Sequence, residues 1–226
     1  MERKILDKIK EGLTRAPRSQ DKWHVSDLLY PRKAVLQRLW PKAMTDLQAL
    51  YFTAGRAHHG ILEYCLGPRK KHTRADAGEY TKHDIYFSPD LRMPYPWEIK
   101  TSRSEYEPRD LEKGYEGYLK QLAQYQACME EDRGGLLVFF LGLREPGKWK
   151  RPAIRFYQVL MNAKERATKI AWMKKMSALM SASQKTKKVT ELPLCPDWMC
   201  RDCPWFKDNC KPWLTDPKRK DLQSKE

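Results

Sequence analysis

Trp97-Glu98-Ile99-Lys100 follows two prolines, Pro94 and Pro96, and sets a carboxylate and an amine two residues apart. Side chains alternate along a strand, so in extended backbone Glu98 and Lys100 share a face. A carboxylate and an ammonium side by side suit the grip on a divalent metal and the placing of the water it activates. That is phosphodiester-cleaving chemistry, provided further ligands stand nearby. Alone, Glu-x-Lys is a weak signal, because solvated strands carry such pairs often. What matters is whether the missing partners occur along the chain in order.

Working outward, residues 94–101 read as the return strand of a hairpin whose first arm is 78–87, with Ser88-Pro89-Asp90 as turn chemistry. That pairing puts Asp84 across from Glu98, where a second metal-binding carboxylate is needed. Upstream, residues 47–66 have helical periodicity, with Leu47, Leu50, Ala54, Ala57, Ile61 and Tyr64 as the inward stripe. Gly55, His59 and Glu63 share another face, and Gly55 suggests either a close approach or a plain helix start. Downstream, 113–131 is an amphipathic helix with Gln121 and Tyr125 at i, i+4. The run 135–143 is continuously apolar, as in a central strand covered on both faces. Residues 151–160 form another strand, and 162–180 a basic helix burying Ala163, Ala167, Ile170, Met173 and Met180. Near the start, Ser26 or Asp27 can cap a short helix that Pro31 ends or restarts.

The chain of 226 residues is long enough for one sizeable core with a small appendage. Lys and Arg number 44 against 29 Asp and Glu, a net charge of +15 that favours a polyanionic partner. Nucleic acid and anionic membrane both fit that charge. The longest apolar run has only strand length, so no membrane span is expected. Residues 1–20 are charged throughout, without a signal-peptide core, which points to an intracellular protein, in the cytoplasm of a bacterial, archaeal or phage-infected cell. In a reducing compartment, clustered cysteines read as metal ligands before disulfides. Cys65 and Cys128 stand alone in apolar surroundings, as buried inert thiols do. Cys195-x4-Cys200-x2-Cys203-x6-Cys210, studded with Pro196, Pro204 and Pro212, offers four thiolates that suit either a [4Fe–4S] cluster or tetrahedral zinc.

Taken in order, Gly55-x3-His59, Asp84, Glu98-x-Lys100 and Gln121-x3-Tyr125 form a set that resembles the PD-(D/E)xK nuclease superfamily. The likeness is to its RecB-type iron–sulfur exonucleases, among them the CRISPR-associated exonucleases and the AddB nuclease domain. It implies an α/β fold, a restriction-endonuclease-like mixed sheet flanked by helices, with a C-terminal Cys-rich iron–sulfur segment. By the same resemblance His59, Asp84, Glu98 and the Ile99 carbonyl hold Mg²⁺ or Mn²⁺. Lys100 is the catalytic lysine, and Gln121 and Tyr125 line the site. Cys195, Cys200, Cys203 and Cys210 hold the [4Fe–4S] cluster, with zinc as the alternative occupant and Trp198, Trp205, Phe206 and Trp213 as its shield. Two departures stand out. His83 replaces the proline of the superfamily's label, and Tyr30-Pro31-Arg32-Lys33 lacks the N-terminal cluster cysteine that Cys195 would then replace.

The expected organisation is a basic arm (1–22), a nuclease core (23–190), the iron–sulfur segment (191–213) and a frayed basic tail (214–226). The expected function is a metal-dependent DNA exonuclease on single-stranded ends, working in replication, recombination or repair, with proteins of those processes as partners. Trp149, beside Lys148, Lys150 and Arg151, is a candidate for stacking unpaired bases. A DNA endonuclease of the same fold, and a non-catalytic iron–sulfur DNA-binding module, are the alternatives.

Overall fold

Apolar alternation and crossover lengths sort this chain into two small sheets. The computed structural model describes residues 22–220, apart from 44, 67–79, 83–84, 93, 145–146, 148 and 201–202, and apart from the side chains at 47, 51, 59, 62–66, 80, 81 and 213. Strands β1 (Trp23–His24), β2 (Tyr80–Lys82) and β3 (Ile85–Phe87) form a sheet in the order β1-β3-β2, with β1 parallel and β2 antiparallel to β3. Strands β4 (Leu91–Arg92), β5 (Pro96–Ser102), β6 (Arg133–Leu143) and β7 (Arg151–Leu160) form a second sheet in that order. Only β5 and β6 run parallel in it. Helices are α1 (Pro31–Leu39), α2 (Asp46–Leu66), α3 (Leu111–Gly114), α4 (Glu116–Met129), α5 (Ala163–Thr186) and α6 (Asp197–Cys200). A parallel pair needs a long crossover, and α3 with α4 supplies it between β5 and β6. The architecture is therefore a mixed sheet flanked by helices.

Strand β6 explains the unbroken apolar run. Leu136, Val138 and Phe140 pack with Tyr115 and Leu122 beneath α4, while Leu137 packs with Ile99, Trp97 and Phe139 on the opposite face. Both faces are covered, so no polar alternation survives. The Trp97 ring lies across Gly135, its register partner, where a Cβ would meet ring carbons at 2.2 Å. Strand β7, at the edge, alternates exposed and half-buried positions. Helix α5 opens with a capping box, Asn162 and Glu165 each accepting from the other's backbone N–H.

Several expectations change. Residues 80–82 and 85–87 do not pair with β5. They form β2 and β3, which pair with each other (Tyr80↔Phe87, Thr81↔Tyr86, Lys82↔Ile85), and the antiparallel partner of β5 is the two-residue β4. Asp84, expected across from Glu98, lies outside the described residues, and the register partner of Glu98 on β6 is Leu136. On α2 the apolar stripe does not face inward: Leu50 is 47% and Ile61 62% exposed, while Ala49 is buried. The helix is turned so that a less apolar face meets the sheet. Gly55 has nothing within 4 Å of a built Cβ, so it is an ordinary mid-helix residue without close approach among the described residues. Helix α5 reaches the core only from Ile170 onward, leaving Ala163 and Ala167 exposed and burying Met173, Met176 and Met180.

The C-terminal segment is tied down by a buried arginine. Arg32 is 1% exposed and donates to the Leu192 carbonyl at 3.1 and 2.6 Å and to the Thr190 carbonyl at 2.9 Å. Residues 214–220, expected as frayed tail, are held too: Arg219 donates to the Cys195 carbonyl at 2.6 Å and pairs with Asp197 at 2.8 Å and Asp216 at 3.1 Å. The described part of the tail is thus a clasp on the cysteine segment, built by one charged side chain. No helix among the described residues is long and apolar enough to cross a membrane. Gly135→Ala should force the Trp97 ring from the sheet and cost about 1–3 kcal/mol of stability in denaturant unfolding. A wild-type midpoint would show that the ring yields freely.

Candidate functional site

Strand β5 turns Glu98 and Lys100 toward α4, as alternation requires. The Glu98 side chain is 1% exposed, and its Oε1 takes an ion pair from the Lys100 amine, whose side chain is 22% exposed. The crossover then brings Gln121 above the pair, its Oε1 3.5 Å from Lys100 Nζ. One turn further along, Tyr125 accepts from Gln121 Nε2 at 2.8 Å. Glu98, Lys100, Gln121 and Tyr125 therefore form one continuous polar chain, in contact along its length. Tyr118, three residues before Gln121, lies under the Lys100 amine at 5.3 Å from its ring centroid.

Burial pulls the Lys100 pKa down, but the Glu98 and Asp90 carboxylates outweigh it and leave the amine above the ordinary lysine value. Lys100 is thus a held ammonium. Because its folded-state pKa is raised, the stabilisation is complete below the ordinary lysine value and is lost as pH climbs through the raised one.

Asp90 is the residue that sequence reading missed, having taken it only as turn chemistry. Strand β4 pairs with β5 only at Pro96 and Trp97. Beyond that point Asp90 caps the edge: its N–H donates to the Trp97 carbonyl at 3.1 Å and its Oδ2 accepts from the Ile99 N–H at 2.7 Å. In extended backbone the N–H and C=O of one residue point to the same edge, so the Ile99 carbonyl faces the side where Asp90 stands. The available signal was an acid closing a turn just before a proline-led strand, a capping position as readily as a loop one.

Helix α2 packs against β5. His58 sets its ring 5.8 Å from that of Phe139, on the sheet face opposite Glu98 and Lys100. The side chains of His59 and Glu63 and the whole of Asp84 lie outside the described residues. Among the described residues no group of three or more His, Cys, Asp or Glu is gathered closely enough to hold a metal ion. Glu98, Asp90 and the Ile99 carbonyl, on β5 and its capped edge, are oxygen donors, the kind that a hard divalent cation such as Mg²⁺ or Mn²⁺ takes.

Cys195, Cys200, Cys203 and Cys210 all line one cavity of about 500 Å³, whose other walls include Lys33 and Leu36 of α1. Burial pushes the Cys195 thiol up to about 11, against the Lys33 backbone N–H beside it. Burial likewise raises Cys210, against the neighbouring Arg32 guanidinium. The Arg219 guanidinium stands 3.8 Å from Cys200 Sγ. Trp205 and Phe206 are buried at the cavity, and Trp205 Nε1 donates to the Trp40 carbonyl at 2.7 Å. Trp198, expected as part of the shield, is 62% exposed and does not line this cavity. The Trp213 side chain is outside the described residues. Cys128 is buried, with its thiol pushed to about 12 by desolvation, as the inert reading requires. The Cys65 side chain is not among those described.

No protein-family model matches this sequence, and no curated protein matches it. Among solved structures, the crystal structure of SSO0001 is similar, with 19% identity over 91% of this chain and 93% of that one and a TM-score of 0.56. At that identity the likeness concerns the fold alone. Two structures of the alkaline exonuclease LHK-Exo align more loosely. The complex with dAMP aligns at 15% identity over 74% of this chain and 92% of that one, with a TM-score of 0.45. The Laribacter hongkongensis enzyme aligns at 16% identity over 74% and 93%, with a TM-score of 0.39.

Replacing Lys100 by Met should leave the Glu98 carboxylate buried without its ammonium, at a cost of about 3 kcal/mol of stability. Added Mn²⁺ should restore part of that loss. Unchanged unfolding midpoints, with and without the ion, would mean the pair does not hold β5 to α4.

Proposed function

We propose that this chain is a metal-dependent deoxyribonuclease, acting as an exonuclease on single-stranded DNA ends. The observation that carries the reading is the polar chain from Glu98 through Lys100 and Gln121 to Tyr125, set beside an open strand edge where Asp90 and the Ile99 carbonyl stand. Glu98, Asp90 and the Ile99 carbonyl would hold the divalent ion, with His59 and Asp84 as the further expected ligands. When bound, the ion supplies charge neutralisation at the phosphate and a lowered pKa for its water.

The remaining work falls to this chain's side chains. Lys100, kept charged by its two carboxylate neighbours, acts as a fixed cation toward the charge that builds on the phosphate, rather than as a base. Gln121 holds the amine through its amide oxygen, and Tyr125 fixes the Gln121 amide so that this oxygen faces Lys100. A net charge of +15 supplies salt-sensitive grip on the phosphate backbone. Replication, recombination or repair is the setting such an activity serves, with the proteins of those processes as partners.

For the four cysteines we propose a [4Fe–4S] cluster that staples the C-terminal segment. Two neighbours oppose the burial that raises these thiols, the Lys33 N–H at Cys195 and Arg32 at Cys210, and Arg219 stands 3.8 Å from Cys200 Sγ. Tetrahedral zinc needs every sulfur within about 2.3 Å of one point. Thiols spread around a cavity instead suit a cluster whose irons each take their own ligand. Cys195, beside the Lys33 backbone N–H, would serve in place of the missing N-terminal cysteine.

Two measurements test these readings. End-labelled linear single strands should be shortened from their ends with Mn²⁺ while a covalent circle survives, and Lys100→Ala should slow digestion about 10²-fold or more without loss of DNA affinity. Rapid loss of the circle would make the enzyme an endonuclease, and binding without cutting under any divalent ion would leave a DNA-binding module. Anaerobically purified protein should show the broad visible absorption of an iron–sulfur cluster, bleached in Cys203→Ser. A colourless protein carrying one zinc would refute the cluster.

A further inference from the structure

A cleft of about 1210 Å³ lies where the start of α1, the first turns of α4 and α5 and the cysteine segment meet. It exceeds the roughly 300–1,000 Å³ typical of small-molecule pockets, so its size suits a length of polymer. Its walls carry the cations Lys113, Lys120, Lys164, Lys169 and Arg219. Some of that charge is spoken for: Lys113 pairs with Asp110 at 3.2 Å, Lys120 with Glu116 at 2.5 Å, and Arg219 with Asp197 and Asp216. The Glu165 carboxylate in the wall is occupied by the Asn162 N–H at 2.8 Å. Lys164 and Lys169, on the first turns of α5, carry the positive surplus.

Aromatic rings are interleaved with these amines. Trp172 and Trp198 line the cleft and stay 37% and 62% exposed, and the Lys169 amine stands 5.5 Å from the Trp172 ring centroid. Lys169 titrates below an ordinary lysine, through burial and then through facing Lys120, so two like charges are crowded where an anion would relieve them. Gln124, also in the wall, is 1% exposed, and its amide oxygen has no hydrogen-bond partner among the described residues. The cleft reaches the site through Tyr118, which lines it and also lies under the Lys100 amine at 5.3 Å.

We infer that this cleft is the track along which a single DNA strand is drawn to Lys100, with Lys164 and Lys169 on its phosphates and Trp172 stacked on a base. Cations that follow a backbone, combined with exposed rings, are the elements of single-strand binding, and stacking demands bases freed from a duplex. The inference rests on the proposed nuclease for where the strand is cut, but on the cleft alone for where it is held.

Fluorescence anisotropy of a dye-labelled oligothymidylate with the full chain in EDTA separates the two. Trp172→Ala should weaken binding about tenfold. Lys169→Glu and Lys164→Glu should each weaken it about tenfold near 0.1 M salt and flatten the log–log salt slope by roughly 0.7. Lys164 is fully exposed, so its variant tests the track even if substitution at Trp172 disturbs packing. Trp149→Ala, 94% exposed and outside the cleft, should bind as wild type. Wild-type affinity in all three cleft variants, a defect confined to Trp149→Ala, or a duplex competing as well as the single strand would each overturn the track. Tighter binding of oligouridylate than of oligothymidylate would overturn its assignment to DNA. The expected binding pattern without any Mn²⁺-dependent cutting would uphold the track and remove the nuclease.

Discussion

The Arg32 guanidinium holds together the parts of this molecule that sequence keeps furthest apart. It sits on the first turn of α1, is 1% exposed, and spends its donors on the carbonyls of Thr190 and Leu192 and on Thr215 Oγ1 at 3.5 Å. Burying a cation costs several kcal/mol unless its donors are satisfied, so the carbonyls must stay in place. That requirement fixes the chain on the approach to Cys195 and, with Arg219, the turns beyond Cys210. The cysteine segment is therefore positioned by two arginines acting on backbone oxygens, before any ligand joins the thiols.

At the other end of the cleft, β5 obeys a similar constraint. Glu98 is as buried as Arg32, and Lys100 is the charge that lets it stay so. Removing either partner strands the other, which is why such pairs mark sites more dependably than they add stability. A divalent ion at the Asp90 edge would take over the role of counter-charge to Glu98. The ammonium would then be free to face a phosphate.

What the sequence made legible followed from local rules. The period of two put Glu98 and Lys100 on one face, the i, i+4 spacing put Gln121 and Tyr125 on one stripe, and the continuous apolar run marked β6 as central. Long-range choices were not legible. Nothing in Tyr80–Lys82 and Ile85–Phe87 says that they pair with each other and with Trp23–His24 rather than with β5, because strand partner choice depends on packing elsewhere. The α2 stripe misled for the same reason: apolar periodicity identifies a helix, yet the described sheet meets it at His58 and Ala49 is buried, while Leu50 and Ile61 stay exposed. Asp90 escaped because a turn acid and a strand-edge cap look alike until the neighbouring strand is seen to stop. Arg219 escaped because basic tails are usually solvated, and only the carbonyl it finds tells otherwise.

Tyr30 joins these threads. Its phenol is pushed above the ordinary tyrosine value by burial first, then by Cys195, Glu116 and Tyr118, with Lys100 pulling the other way. One side chain thus feels the cysteine segment, the wall of the cleft and the Glu98–Lys100 pair at once. It stands immediately before Pro31, and its hydroxyl lies 3.3 Å from where a Cβ at Gly117 would stand. The ring therefore bridges the start of α1 to α4. The cysteine segment then has an architectural task, since its placement sets one wall of the cleft whose Tyr118 lies under the Lys100 amine. On this view the thiols and the polar chain on β5 are two ends of one structure, coupled through a wall of aromatic rings and not through shared chemistry.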